Sequence, residues 1–208
     1  DHHVTSHAHA FPPCMLVLGV FDGMGGAAAG EVASALAAQT VCDVMAQGGP
    51  PRDPNDLAGR LARSLEVASE RIFEEAQRDP EQHGMGTTAT LAGVAGGGVF
   101  LAQIGDSRAY LLRAGAIIQL TTDQVAVGGG LLHFMGCDHD PEIEVRVGPV
   151  QPDDLFVVCT DGLTKHLDEP ALLRASAGER RPPVLCERLV HAANARGGRD
   201  NIGVGVLV

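Results

Sequence analysis

Residues 15–21 form a continuous apolar run that stops at Asp22 and turns through glycines. A run with no polar face predicts a strand in the middle of a buried sheet. After Gly26 the spacing becomes helical, with Val32 and Leu36, then Val41 and Met45, four residues apart, and the helix should end at the glycines and prolines of 48–51. A second helix is expected from Asn55 or Asp56, with Leu57, Leu61, Leu65, Ala68 and Ile72 on one stripe and a stop before Pro80. From Gly86 the period shortens. Residues 87–94, 99–104, 107–112 and 116–120 read as short strands between tight turns, and strands joined this closely are antiparallel. Ile143, Val145 and Val147 alternate with Glu144 and Arg146, which predicts a half-exposed strand, whereas 155–159 is a buried one. A helix over 183–195 and an alternating strand from Ile202 to Val208 close the chain. Helices flanking antiparallel strands predict an α+β fold with helix layers outside sheet.

Composition narrows this picture. A chain of 208 residues suits one domain with a sizeable core, and with no Trp and one Tyr that core must be built from small aliphatic residues and six Phe. The net charge of −11 and the lack of a basic stripe exclude a nucleic-acid partner. Cys14, Cys42, Cys137, Cys159 and Cys186 are scattered and show no C-x-x-C pair, so free thiols in a reducing cytoplasm are expected. No apolar run is long enough to span a bilayer and no signal-peptide order is present, which predicts a soluble, cytoplasmic protein without membrane contact. The chain starts at Asp1 without a Met, and an upstream segment is expected to have been removed. His2, His3, His7 and His9 have no acidic or cysteine companion at ligand spacing and read as an exposed turn more readily than a zinc site.

The chemistry lies in the aspartates. Asp22-Gly23, Asp106 in Ile104-Gly105-Asp106-Ser107-Arg108 and Asp161-Gly162 follow strand ends, and Asp200-Asn201 precedes the last strand. Strands ending on one side of a sheet would gather these acids, whose mutual repulsion calls for a cation. Hard divalent ions such as Mg²⁺ or Mn²⁺ suit oxygen ligands, whereas each Asp alone could simply cap a turn. A dinucleotide fingerprint competes at Gly23-x-Gly25-x-x-Ala28, with Asp43 downstream. Against it, Asp22 would set a carboxylate beside a pyrophosphate, and strand follows strand where strand-helix repeats should continue.

Six motifs in order carry a resemblance: Phe21-Asp22-Gly23-Met24-Gly25-Gly26, Gly86-Thr87-Thr88-Ala89, Gly105-Asp106-Ser107-Arg108-Ala109, Leu120-Thr121-Thr122-Asp123, Cys159-Thr160-Asp161-Gly162-Leu163 and Asp200-Asn201-Ile202. The chain resembles, from end to end, the metal-dependent serine/threonine protein phosphatases of type 2C in the bacterial style. The resemblance implies a four-layer α-β-β-α sandwich, two antiparallel sheets packed face to face with helices outside. It implies that Asp22 bridges two Mn²⁺ or Mg²⁺ ions, that the Gly23 carbonyl binds one of them, that Asp161 and Asp200 bind the other, and that Asp106 shares a third with Asp161. Asp1 is the candidate for an acidic motif that precedes the bridging Asp by about twenty residues. On that assignment the family's first strand, and a phosphate-binding Arg upstream, lie outside the single catalytic domain of residues 1–208.

The implied reaction is hydrolysis of phosphoserine and phosphothreonine in proteins by a water shared between metals, with Asp22 and Asp161 the residues it depends on most. Met24 stands where some relatives carry a His as acid for the leaving alkoxide, and thioether sulfur has no proton to give. His133, His139 and His166 read as surface or turn histidines. Near 124–141 the flap is short and carries Gly128-Gly129-Gly130, which predicts a mobile connection, an open cleft and loose substrate discrimination. The expected partners are a phosphoprotein substrate and an opposing serine/threonine kinase, with the phosphatase a monomer. The alternative is a non-catalytic phosphatase-fold protein that binds or regulates.

Overall fold

The computed structural model describes residues 4–11, 15–47, 51, 53–137 and 141–208. Its first strand, β1 (Val4–Phe11), pairs antiparallel with β2 (Met15–Met24), Val4 opposite Asp22 and Phe11 opposite Met15. The turn expected around the histidines is therefore a strand over 4–11, formed because β2 offers it a full backbone partner. Helices α1 (Ala27–Gln47) and α2 (Pro54–Arg78) follow. Asp53 caps α2, its carboxylate accepting the Asp56 N–H at 3.0 Å, and Pro54 is suited to the first turn, where no N–H is needed.

The short β3 (Gly86–Thr87) is followed by β4 (Ala89–Ala95), β5 (Gly98–Ile104), β6 (Arg108–Arg113) and β7 (Ala116–Gln119). Strands β8 (Glu144–Pro149) and β9 (Leu155–Cys159) lead to the short helix α3 (Asp161–Thr164), then α4 (Glu169–Ser176), α5 (Pro182–Asn194) and β10 (Val204–Leu207). Among the described residues the strands form two antiparallel sheets. One has the order β1-β2-β4-β5-β8, with β3 on the end of β2, and the other β10-β9-β6-β7. Consecutive strands β5 and β6 do not pair, because the chain crosses from one sheet to the other at Gly105-Asp106-Ser107.

Alternation along the strands builds the layers. Leu18, Val20, Ala92, Val99 and Leu101 of the first sheet meet Ala109, Leu111, Phe156, Val158 and Leu207 of the second. The opposite faces go to helices: Val17, Phe21, Leu91 and Phe100 pack under α1 and α2, while Tyr110, Val157, Cys159 and Val206 pack against α3, α4 and α5. The expected helix-sheet-sheet-helix sandwich is thus present. On α2 the five predicted stripe residues are all fully buried. On α1 the expected stripe holds at Val41 and Met45, which are buried, but not in the first half of the helix. Ala29, Ala33, Ala37 and Ala38 are buried while Val32 and Leu36 are only partly so, because small side chains let α1 lie close to β2. Strand β8 also differs: Val145 and Val147 are exposed, on a strand at the edge of its sheet. Helix α4, not foreseen, starts at Asp168, whose carboxylate accepts the Ala171 N–H at 2.9 Å.

Candidate metal centre

Parity along β2 puts Asp22 on the face of Leu18 and Val20, between the sheets at the end of the sandwich. The residue is 8% exposed. Its backbone is fixed from β4's side: the Thr88 N–H donates to the Asp22 carbonyl at 2.9 Å, and the Asp22 N–H donates to the Thr88 hydroxyl at 3.3 Å. That hydroxyl lies 2.8 Å from the Ser107 hydroxyl, and Thr90 donates to the Ser107 carbonyl at 2.7 Å. A buried chain of hydroxyls thus joins the Asp22 strand to the sheet crossing that carries Asp106. Gly105 makes that crossing, with φ +101° and a Cβ position only 2.7 Å from the Thr88 Cβ, so only glycine fits. The Gln103 amide spans it, donating to the Gly105 carbonyl at 2.8 Å and the Thr122 carbonyl at 2.9 Å.

Gly23 has its own constraint. A Cβ there would lie 1.9 Å from the Gly30 carbonyl oxygen, so the strand end and the first turn of α1 touch backbone to backbone. Gly25 and Gly26 make the turn itself, in the left-handed region at φ +108° and +93°.

Asp161 begins α3 directly after β9, and Asp200 sits in the turn before β10. Thr160 ties the two segments, its N–H donating to the Gly203 carbonyl and its hydroxyl accepting the Gly203 N–H, both at 3.0 Å. A Cβ on Gly162 would lie 2.0 Å from the Asn201 carbonyl oxygen, so this glycine lets the turn close down over α3. The carboxylates of Asp161 and Asp200 then share one cation: Lys165 Nζ lies 2.8 Å from Asp161 Oδ2 and 2.7 Å from Asp200 Oδ2. Burial lowers the lysine's proton affinity, but the hydrogen bonds to both aspartates outweigh it and hold the ammonium above the ordinary lysine range. Burial first, then the charge of Asp161, pushes the Asp106 carboxyl up to about 6.

The structure therefore brings Asp161 and Asp200 to a common cation, sets Asp106 within the field of Asp161, and links Asp22 to the Asp106 turn through Thr88 and Ser107. Among the described residues no three His, Cys, Asp or Glu side chains close on one point. Asp1 lies outside the described residues. Lys165 was missed, although its place four residues after Asp161 at a helix start was visible in the sequence. His166 is the expected turn histidine, and its Nε2 accepts the Arg199 N–H at 3.1 Å and so steadies the turn that carries Asp200. Cys159 is a buried strand thiol pushed by burial to about 12, as its position in β9 led one to expect.

Two features fit a divalent ion. The donors are oxygens throughout, and Asp161 Oδ1 is buried with no hydrogen-bond partner among the described residues. A lysine already drawn between two of the acids shows that the site favours positive charge.

The family model described as protein phosphatase 2C matches residues 5–193. The chain belongs to the protein phosphatase 2C family. Among its relatives, the serine/threonine phosphatase stp of Listeria monocytogenes is 29% identical over 204 residues, covering 89% of this chain and 81% of that protein. The serine/threonine protein phosphatase PstP of Mycobacterium tuberculosis is 32% identical over 211 residues, 91% of this chain but 40% of the longer relative. In three dimensions this protein phosphatase 2C member superposes on the S. agalactiae serine/threonine phosphatase with a TM-score of 0.91 at 24% identity, covering 99% of this chain and 92% of the other, which bears on the fold alone. The M. tuberculosis PstP/Ppp structure gives 0.84 at 27% identity, with 99% and 97% covered.

Proposed function

We propose that this chain is a serine/threonine protein phosphatase that hydrolyses phosphoserine and phosphothreonine with Mn²⁺ or Mg²⁺ held by Asp22, the Gly23 carbonyl, Asp161 and Asp200, and a third ion between Asp106 and Asp161. Family membership supports the reaction class, and the observation that carries the site is the pair of carboxylates, Asp161 and Asp200, drawn to a single cation at the sheet ends. Oxygen donors without His or Cys favour these hard ions over zinc. When bound, such ions supply Lewis-acid chemistry, acidifying water and offsetting charge on the phosphoryl oxygens. The protein's own part is to keep its carboxylates ionised and in place. Thr88 fixes the Asp22 backbone, Thr160 and Gly162 fix the α3 and Asp200 turns against each other, and no nucleophilic side chain is required of the site. Met24 follows the Asp22-Gly23 pair and has no titratable proton, so it cannot serve as the acid for a leaving alkoxide.

The same reading makes the phosphatase a cytoplasmic monomer acting opposite a serine/threonine kinase. Among the described residues no helix is long and apolar enough to cross a membrane. Asp22→Ala and Asp161→Ala should each abolish Mn²⁺-dependent hydrolysis of a phosphothreonine peptide, a loss beyond the roughly 10- to 100-fold effect of residues that only orient metal ligands. Turnover at the wild-type rate in either variant would sink the assignment.

A further inference from the structure

We propose that Lys165 is a built-in counter-ion for the Asp161–Asp200 pair, which a divalent ion must displace in order to bind and which lowers the chain's affinity for that ion. The inference rests on reading Asp161 and Asp200 as metal ligands. An Asp and a Lys four residues apart at a helix start are commonly an isolated surface pair of little consequence. Here a second acceptor, Asp200, arrives from a distant segment, and the ammonium sits 2.8 Å and 2.7 Å from the two carboxylates. The pair is not fully open to water either, with the Asp161 and Asp200 side chains 23% and 15% exposed.

Displacement needs little rearrangement. The Lys165 N–H is anchored to the Asp161 carbonyl at 2.8 Å, so the backbone can stay in place. The side chain is 52% exposed and ends in a flexible four-carbon stem that can swing into solvent. A divalent ion entering between the two aspartates would both take over their oxygens and repel the ammonium, so the lysine and the ion exclude one another. Without the ion, the lysine quenches the repulsion between the carboxylates and holds the Asp200 turn against α3. Metal loading is thereby coupled to the release of a cation that the chain itself carries.

The test is calorimetric titration of Mn²⁺ into the full chain as wild type, Lys165→Gln, Lys165→Arg and Asp161→Asn, with melting temperatures taken with and without Mn²⁺. Removing one unit charge a few ångströms from a divalent ion in a water-exposed cleft should tighten Mn²⁺ binding in Lys165→Gln by roughly 3- to 30-fold, while Lys165→Arg stays within about threefold of wild type. Lys165→Gln should also melt lower than wild type without Mn²⁺ and gain more from saturating Mn²⁺. Binding by Lys165→Gln that equals wild type or is weaker, while Asp161→Asn binds less well, overturns the counter-ion role and leaves the metal site standing. Equal binding by wild type and Asp161→Asn overturns the metal assignment, and the counter-ion role with it.

Discussion

At the scale of single residues, the site depends on glycines that allow backbones to touch. Gly23 and Gly30 face each other, and a methyl group on Gly23 would fall 1.9 Å from the Gly30 carbonyl oxygen, a contact that only a shift of α1 or β2 could relieve. Gly23→Ala should therefore destabilise the fold by about 1–3 kcal/mol, as overpacking does, and weaken Mn²⁺ binding as well, because the strand end that moves carries Asp22. Urea unfolding and Mn²⁺ calorimetry on the same variant check both effects, and a variant with wild-type stability would show that α1 yields freely. The aspartates themselves were legible, since each stands at a strand end or in a turn beside glycine. Lys165 was not, because its bond to Asp161 is local and familiar while its bond to Asp200 exists only once β9 and β10 have paired. His166 reads correctly as a turn histidine, but its partner, the Arg199 N–H, is brought to it only by tertiary structure.

At the scale of elements, the sandwich is clamped at the end away from the aspartates. Arg113, the last residue of β6, donates to both carboxylate oxygens of Asp154 just before β9, at 2.7 Å and 2.6 Å, and to the Pro149 carbonyl at the end of β8 at 3.1 Å. Strand β8 belongs to the first sheet, β6 and β9 to the second, so one guanidinium ties the two together. The hydrogen bond from Arg113 holds the Asp154 carboxyl below the usual carboxylate range. A lowered folded-state pKa contributes stability that is complete above the unfolded value of about 3.9 and is lost as pH falls through the folded one. Asp154→Asn should thus lower the urea midpoint at pH 7 and progressively less as pH drops below about 4. A gap between wild type and variant that persists unchanged into acid would mean that the carboxylate charge is not what matters. Helix α2 shows the opposite kind of legibility. Its stripe follows from local periodicity, and Leu57 and Leu61 lie over Gly93 of β4. Leu61→Ala should cost about 2–5 kcal/mol in urea unfolding, and a loss under about 1 kcal/mol would show that the helix collapses into the gap. What periodicity could not reveal was position in the sheet: β8 alternates like a half-buried strand, yet its valines are exposed because the strand is an edge, and nothing in six residues says which strand will lie at the edge.

At the scale of the whole molecule, the net charge of −11 outlasts the binding of a few divalent ions, so a phosphoprotein approaches a surface that remains strongly acidic. The phosphoryl group itself is anionic, and the surrounding field opposes its arrival unless the flanking residues of the substrate are basic. A phosphothreonine peptide flanked by arginines should therefore show a higher kcat/KM than the same peptide flanked by glutamates, by about tenfold in low salt, within the range that electrostatic steering reaches. The Debye length shrinks from about 10 Å at 0.1 M to about 3 Å at 1 M, so the ratio should fall towards one as salt is raised. Measuring both peptides across that range at saturating Mn²⁺ separates the long-range field from local recognition. A preference that survives 1 M salt would place the discrimination in direct contacts at the cleft, and a preference for the acidic peptide would mean that the bound ions, and not the acidic surface, govern how substrate arrives.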